Sequence, residues 1–334
     1  MWKLGCMAVR FEGIKMSAPQ QAFASPPVRL VSRAVMHHAF PVQLAWRRVF
    51  DAHSLSLLMW LSVELANTDH LFGAQELTGL VRLGRIDDEA RRPIAVRALG
   101  ASLSLDSETI RRWAKRLVDA GFCERRPEGL IVPSAAYERE AIEHASRQTL
   151  EALGALLADL NRWGVTLPQI SMPLGARPWD AAHANPTFAR RLFVLTFLQF
   201  ILRFGIESQG IFERSTMSSS VFFCVFSANH RRFFDDDDLN RRYATFETPV
   251  PAELREPISI RAIAKRLDYA VETTRRHVHQ LVEANLLERR GDGFIMSDAA
   301  LARPEIVKSA ADISGSLTIM LRRMDRVAAA LVAA

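Results

Sequence analysis

Two stretches of this chain are versions of one another. Residues 93–136 read PIAVRALGASLSLDSETIRRWAKRLVDAGFCERRPEGLIVPSAA, and residues 257–300 read PISIRAIAKRLDYAVETTRRHVHQLVEANLLERRGDGFIMSDAA. The offset is a constant 164 without a gap over 44 positions, and 19 of them are identical. About three identities are expected for unrelated segments of ordinary composition. A repeat of this kind constrains the fold more than any single motif, because whatever unit the first copy forms, the second must form too. The length of 334 residues also suits two domains of about 150 residues each.

Within the first copy, apolar spacing predicts a short helix over 96–103 with Ala98, Leu99 and Leu103 inward. A break at 104–106 follows, then a longer helix to residue 120 with Ile110, Ala114, Leu117 and Val118 inward. Asp106 is placed to cap that helix. Gly121 stops it, as Asn285 does in the second copy. The short runs FCERR and LIVPS flank the turn ProGluGly, and LLERR and FIMSD flank GlyAspGly, which reads as a hairpin in each copy. Ala270 stands where Asp106 does. A missing cap oxygen costs around 1 kcal/mol, so the second long helix is expected to start late or fray.

Helix, tight turn, helix and hairpin in this order resemble the bacterial winged helix-turn-helix transcription regulators of the GntR, MarR and IclR kind. The resemblance is carried by IAVRALGASLSLDSETIRRWAKRLVDAGFCERR and ISIRAIAKRLDYAVETTRRHVHQLVEANLLERR, and it covers about 90 of the 334 residues. It implies that the second helix enters the major groove and the wing touches an adjacent groove or backbone. The outward positions of that helix are Ser107, Glu108, Thr109, Arg111, Arg112 and Lys115 in copy one, and Val271, Glu272, Thr273, Arg275, Arg276 and His279 in copy two. Arg can take guanine bidentately, Glu can accept from cytosine, and Thr suits a phosphate oxygen or a thymine methyl. Arg125, Arg126, Arg289 and Arg290 lie where the wings begin.

Paired arginines on a helix are often only its solvated face. Here Glu-Thr-x-Arg-Arg and Glu-Arg-Arg recur at the same register. Charge is concentrated there as well: residues 91–126 carry +5 and residues 255–290 carry +3, against +6 for the whole chain, so the remainder is slightly acidic. Double-stranded DNA is the partner this implies.

The flanks repeat more loosely. Apolar helices are expected over about 47–66 and 190–204, each opening on an Arg pair, and amphipathic closing helices over 137–163 and 302–333. The expected fold is mainly α with small β-hairpin wings: two winged helix-turn-helix units in one chain, packed through flanking helices as a pseudo-dimer. Residues 1–28 form a disordered N-terminal arm on this reading, with Met16 an alternative start. A first unit spans 29–166 with its core at 91–136, a linker spans 167–187, and a second unit spans 188–334 with its core at 255–300. The segment 188–204 carries Arg190, Arg191 and Arg203 and falls short of a roughly 20-residue membrane span. It is expected as a buried helix, with no membrane partner.

Other signals point away from catalysis. Asp235, Asp236, Asp237 and Asp238 are adjacent rather than alternating with turn residues, so a solvated acidic loop is expected in place of a cation site. The three cysteines, Cys6, Cys123 and Cys224, form no CxxC pair, and the histidines show no ligand spacing, so neither metal nor cofactor is expected. The segment 218–220 lacks the glycines of a nucleophile elbow, and no phosphate-binding glycine loop is present. Phenylalanines at 193, 197, 200 and 204 share a helix face, and those at 222, 223, 226, 233 and 234 follow in the connector. They suit interhelical packing or a pocket for a small apolar effector. A cytoplasmic, nucleoid-associated bacterial transcription regulator that reads an imperfect inverted repeat is the expected function, and homodimerisation stays open. A plasmid-type replication initiator and a chromosome-organising or protein-docking tandem winged-helix protein are the alternatives.

Overall fold

Helical periodicity dominates the chain, and the computed structural model realises it as a mainly helical protein with two small antiparallel two-strand sheets. It describes residue 23 and residues 25–51, 54–166, 170–180, 185–212 and 215–334. The N-terminal arm and Cys6 lie almost wholly outside these residues, as do His53, His183 and parts of the linker.

The first half runs α1 (Val28–Val49), α2 (Ser54–Thr68), α3 (Ala74–Leu83), α4 (Val96–Leu103), α5 (Ser107–Asp119), β1 (Glu124–Arg126), β2 (Gly129–Ile131) and α6 (Glu140–Arg162). The second runs α7 (Pro186–Ser208), α8 (Thr216–Asn229), α9 (Asp237–Arg242), α10 (Ile260–Leu267), α11 (Val271–Glu283), β3 (Leu287–Arg290), β4 (Gly293–Met296), α12 (Asp298–Ala302) and α13 (Pro304–Ala333). A short 3-10 helix at Ser134–Glu138 stands where the second half has α12.

Two expectations about the flanks are corrected. Arg47 and Arg48 do not open an apolar helix; they close α1, and the chain turns before α2 begins. The segment 205–256 is not a mere connector, since it contains α8 and α9. The helix that matches α7 is therefore α1, not α2. Nine buried apolar positions recur at an offset of 158: 30, 31, 34, 35, 36, 39, 40, 42 and 46 in α1, and 188, 189, 192, 193, 194, 197, 198, 200 and 204 in α7. Arg33 thereby matches Arg191.

Four long helices form the centre. α1 lies along α6 and also meets α13, while α7 lies along α13 and also meets α6. The opening helices reach across: α1 packs on α8, and α7 packs on α2. Their first turns are anchored in the opposite half. The N–H groups of Arg29 and Leu30 donate to the carbonyl of Ala244 at 2.9 and 3.1 Å. Asn185 caps α7 through the Phe188 N–H (3.0 Å) and donates to the carbonyl of Gly84 at 2.9 Å. α7 is apolar nearly all round because neighbours cover it on most faces, as such a helix requires. Among the described residues no helix is long and apolar enough to cross a membrane. One continuous core joins the four helices to the first half, and a second cluster lies around α8, α10 and α11 and takes Phe40 from α1.

Candidate nucleic-acid interface

The segment α4–α5 is built by local signals. Ser104 takes a left-handed conformation at φ 53°, and Asp268 does the same in the second half at φ 53°. Asp106 accepts from the N–H groups of Glu108 (3.1 Å) and Thr109 (2.8 Å), which also hold its carboxyl below the usual range. α11 lacks this cap but starts at the equivalent residue, so the expected late start is corrected. There the Thr274 hydroxyl donates to the carbonyl of Ala270 at 3.1 Å. Gly121 and Asn285 end the helices at φ 69° and 54°, as expected. Ile110, Ala114 and Leu117 are buried; Ala98, expected inward, is exposed. Its neighbour Gly100 is buried instead, and a Cβ on Gly100 would meet Ile110 at 3.3 Å.

Every outward side chain named from the sequence lies on the surface side of its helix. Ser107, Glu108, Arg111, Arg112 and Lys115 are exposed and Thr109 is half-buried; Glu272, Arg275, Arg276 and His279 are exposed and Thr273 is half-buried. The two arginines of each pair differ. Arg111 is paired with Glu108 at 3.3 Å, and Arg275 with Glu272 at 3.0 Å. Arg112 and Arg276 form no ion pair among the described residues. The exposed pairs are worth only a few tenths of a kcal/mol, so Arg111 and Arg275 can leave them at little cost. Lys115 is paired with Asp119 at 2.6 Å.

A hairpin forms in each half, but Gly129 and Gly293, expected in the turns, open β2 and β4: Arg125 faces Leu130 and Arg126 faces Gly129, while Arg289 faces Phe294 and Arg290 faces Gly293. Each is joined by a further bridge, Ile94 to Leu130 and Ile258 to Phe294. Gly129 is required there, because its φ is 153° and a Cβ would lie 2.3 Å from the carbonyl oxygen of Ile94. Arg126 is tied back to Glu124 (3.2 Å) and to the carbonyl of Asp88 (3.1 Å), and Arg290 to Glu253 (3.4 Å). Arg125 and Arg289 stay exposed. Of the arginines named from the sequence, Arg112, Arg276, Arg125 and Arg289 carry no ion pair among the described residues, and Arg289 donates to the carbonyl of Gly291 at 3.3 Å. Arg97 and Arg261, 164 residues apart, are likewise exposed, on α4 and α10. Their matching register could have found them.

Residues the sequence set aside fall mostly in structural roles. Burial pushes the Cys123 thiol up to about 12 and the Cys224 thiol up to about 11. His277 packs in the core with Nδ1 3.0 Å from the Ser218 hydroxyl, and burial lowers its pKa. His37 stacks on Phe234, and burial lowers it to about 4. The acidic run is not a plain solvated loop, which is a correction. Asp236 caps α9 through the Leu239 N–H at 2.8 Å, and Asp237 accepts from the Trp163 indole N–H at 2.7 Å. Among the described residues no group of three or more His, Cys, Asp or Glu side chains is arranged to hold a metal. Comparison of the chain with protein-family models, with curated proteins and with solved structures returned no match.

Proposed function

We propose that this protein is a sequence-specific DNA-binding transcription regulator, in which two winged helix-turn-helix units, 29–166 and 188–334, are joined as a pseudo-dimer by α1, α6, α7 and α13. The observation that carries the reading is the recurrence of one exposed constellation on α5 and α11: a Glu–Arg ion pair beside an unpaired arginine, Arg112 in one and Arg276 in the other. Packing does not need these side chains, and a merely solvated face has no reason to keep them in register.

On this reading α5 and α11 enter successive major grooves, and Arg125 and Arg289 reach phosphates beside them. The helix surfaces differ in Ser107 and Lys115 against Val271 and His279, so the two half-sites differ in sequence. The protein acts by binding, with no chemical step.

The test is fluorescence anisotropy on mixed-sequence duplex DNA across a salt series. Each lost phosphate contact lowers the slope of log K against log salt by about 0.9. Arg125→Ala with Arg289→Ala is expected to lower it by about 2. Absence of binding, or an unchanged slope, overturns the reading.

A further inference from the structure

The two halves treat one place in the fold differently. In the first half, buried polar and aromatic side chains meet between α2, the 3-10 helix at Ser134–Glu138 and the incoming α7. Glu64 is buried and its Oε2 lies 2.8 Å from Nη1 of Arg91; Tyr137 packs on Trp60; and the guanidinium of Arg191, from α7, lies 4.1 Å from the Tyr137 ring. In the second half the matching residues are Phe226, Arg255, Leu301 and Arg33. The buried carboxylate has become a phenyl ring and the tyrosine a leucine, while both arginines are retained. A cavity of about 70 Å³ opens there, lined by Arg29, Arg33, Phe223, Phe226, Leu301 and Ile313 among others. About 10–15 Å³ holds one water-sized group, so the cavity has room for a short chain.

Its charges are out of balance. Arg33 is 2% exposed and donates to Asn240 and to the carbonyl of Tyr243, all neutral acceptors. These bonds use four of its five N–H groups. Nε of Arg29 is buried without a hydrogen-bond partner. Arg255 pairs with Asp298, which is mostly exposed. No carboxylate among the described residues pairs with Arg29 or Arg33, and Phe226 stands where the first half has the buried carboxylate of Glu64.

We infer that this cavity binds a small amphipathic carboxylate, whose acid group meets Arg29 and Arg33 and whose apolar chain lies between Phe223, Phe226 and Ile313. The ligand carboxylate supplies the counter-charge that Arg29 and Arg33 lack, and the chain fills the volume that Leu301 leaves relative to Tyr137. The site stands or falls without DNA, so its test is independent of the proposed function.

Calorimetric titration with octanoate and with 1-octanol, on the full chain without DNA, tests it. Octanoate is expected to bind saturably with one site, and octanol at least tenfold more weakly. Leu301→Tyr, which restores the first half's filling, and Arg29→Gln, on a partly exposed side chain, are each expected to weaken octanoate at least tenfold. Folding of both variants is checked by thermal unfolding. Equal affinity for octanol, unchanged octanoate affinity in folded Arg29→Gln, or no saturable binding to wild type overturns the inference.

Discussion

Asn67 and Asn229 hold the same station in the two halves. Asn67 donates to the carbonyl of Arg92 at 2.7 Å and accepts from the N–H of Val132 at 2.8 Å. Asn229 donates to the carbonyl of Glu256 at 2.7 Å and accepts from the N–H of Met296 at 2.8 Å. Each fully buried amide thus ties the last turn of α2 or α8 to the chain entering the α4–α5 or α10–α11 segment and to the chain leaving the hairpin.

Replacing either amide by leucine keeps the volume but leaves a buried carbonyl and a buried N–H without partners, each worth about 1–3 kcal/mol. Asn67→Leu and Asn229→Leu are each expected to lose about 3 kcal/mol in urea unfolding. Because they share no partner, the double variant should lose close to the sum. A loss under 1 kcal/mol would mean that the amides do not clamp the hairpins.

His230 sets an acid limit. It is buried, its Nδ1–H donates to the carbonyl of Phe226 at 2.9 Å, and burial together with Arg33, Arg255 and Arg29 lowers its pKa to about 3. The unfolded chain therefore binds the proton first. The contribution is fully present above about pH 6.5 and is lost as pH falls toward 3, with a slope of up to about 1.4 kcal/mol per pH unit. His230→Gln should flatten the pH dependence of unfolding between pH 6 and 4, and an unchanged profile would contradict this assignment.

The four consecutive aspartates should separate by role. Asp237→Ala strands the indole N–H of Trp163, a fully buried residue, at about 2 kcal/mol. Asp236→Ala removes a helix cap at about 1 kcal/mol. Asp235 and Asp238 are exposed, and their alanine variants should stay within about 0.5 kcal/mol of wild type. Equal effects at all four positions, read from thermal unfolding, would restore the plain acidic loop.

Local signals made α4, α5 and the hairpin legible: the Asp106 cap, the stops at Gly121 and Asn285, and the turns between the short strands. The exposed arginines were legible for the same reason, since periodicity fixes which positions face out. The start of α2 was not, because the apolar run passes through Phe50 and hides the break between α1 and α2. Nor was the match of Arg33 with Arg191, which lies at an offset of 158 rather than 164 and is revealed only by burial. Ion pairing on α5 distinguishes Arg111 from Arg112, and sequence alone gives the two equal standing. The cavity beside α13 depends on Phe226 and Leu301, whose counterparts become visible only when the halves are superposed by their elements.

The central claim is that one chain presents two related but non-identical reading helices to DNA. Selection and sequencing of random duplexes tests it most directly, with wild type beside Arg111→Ala/Arg112→Ala and Arg275→Ala/Arg276→Ala. The account predicts an imperfect inverted repeat with half-sites about one helical turn apart, ~34 Å, and each double variant losing preference in one half-site only. Enrichment of no sequence, or of a single half-site indifferent to the α11 variant, would contradict it.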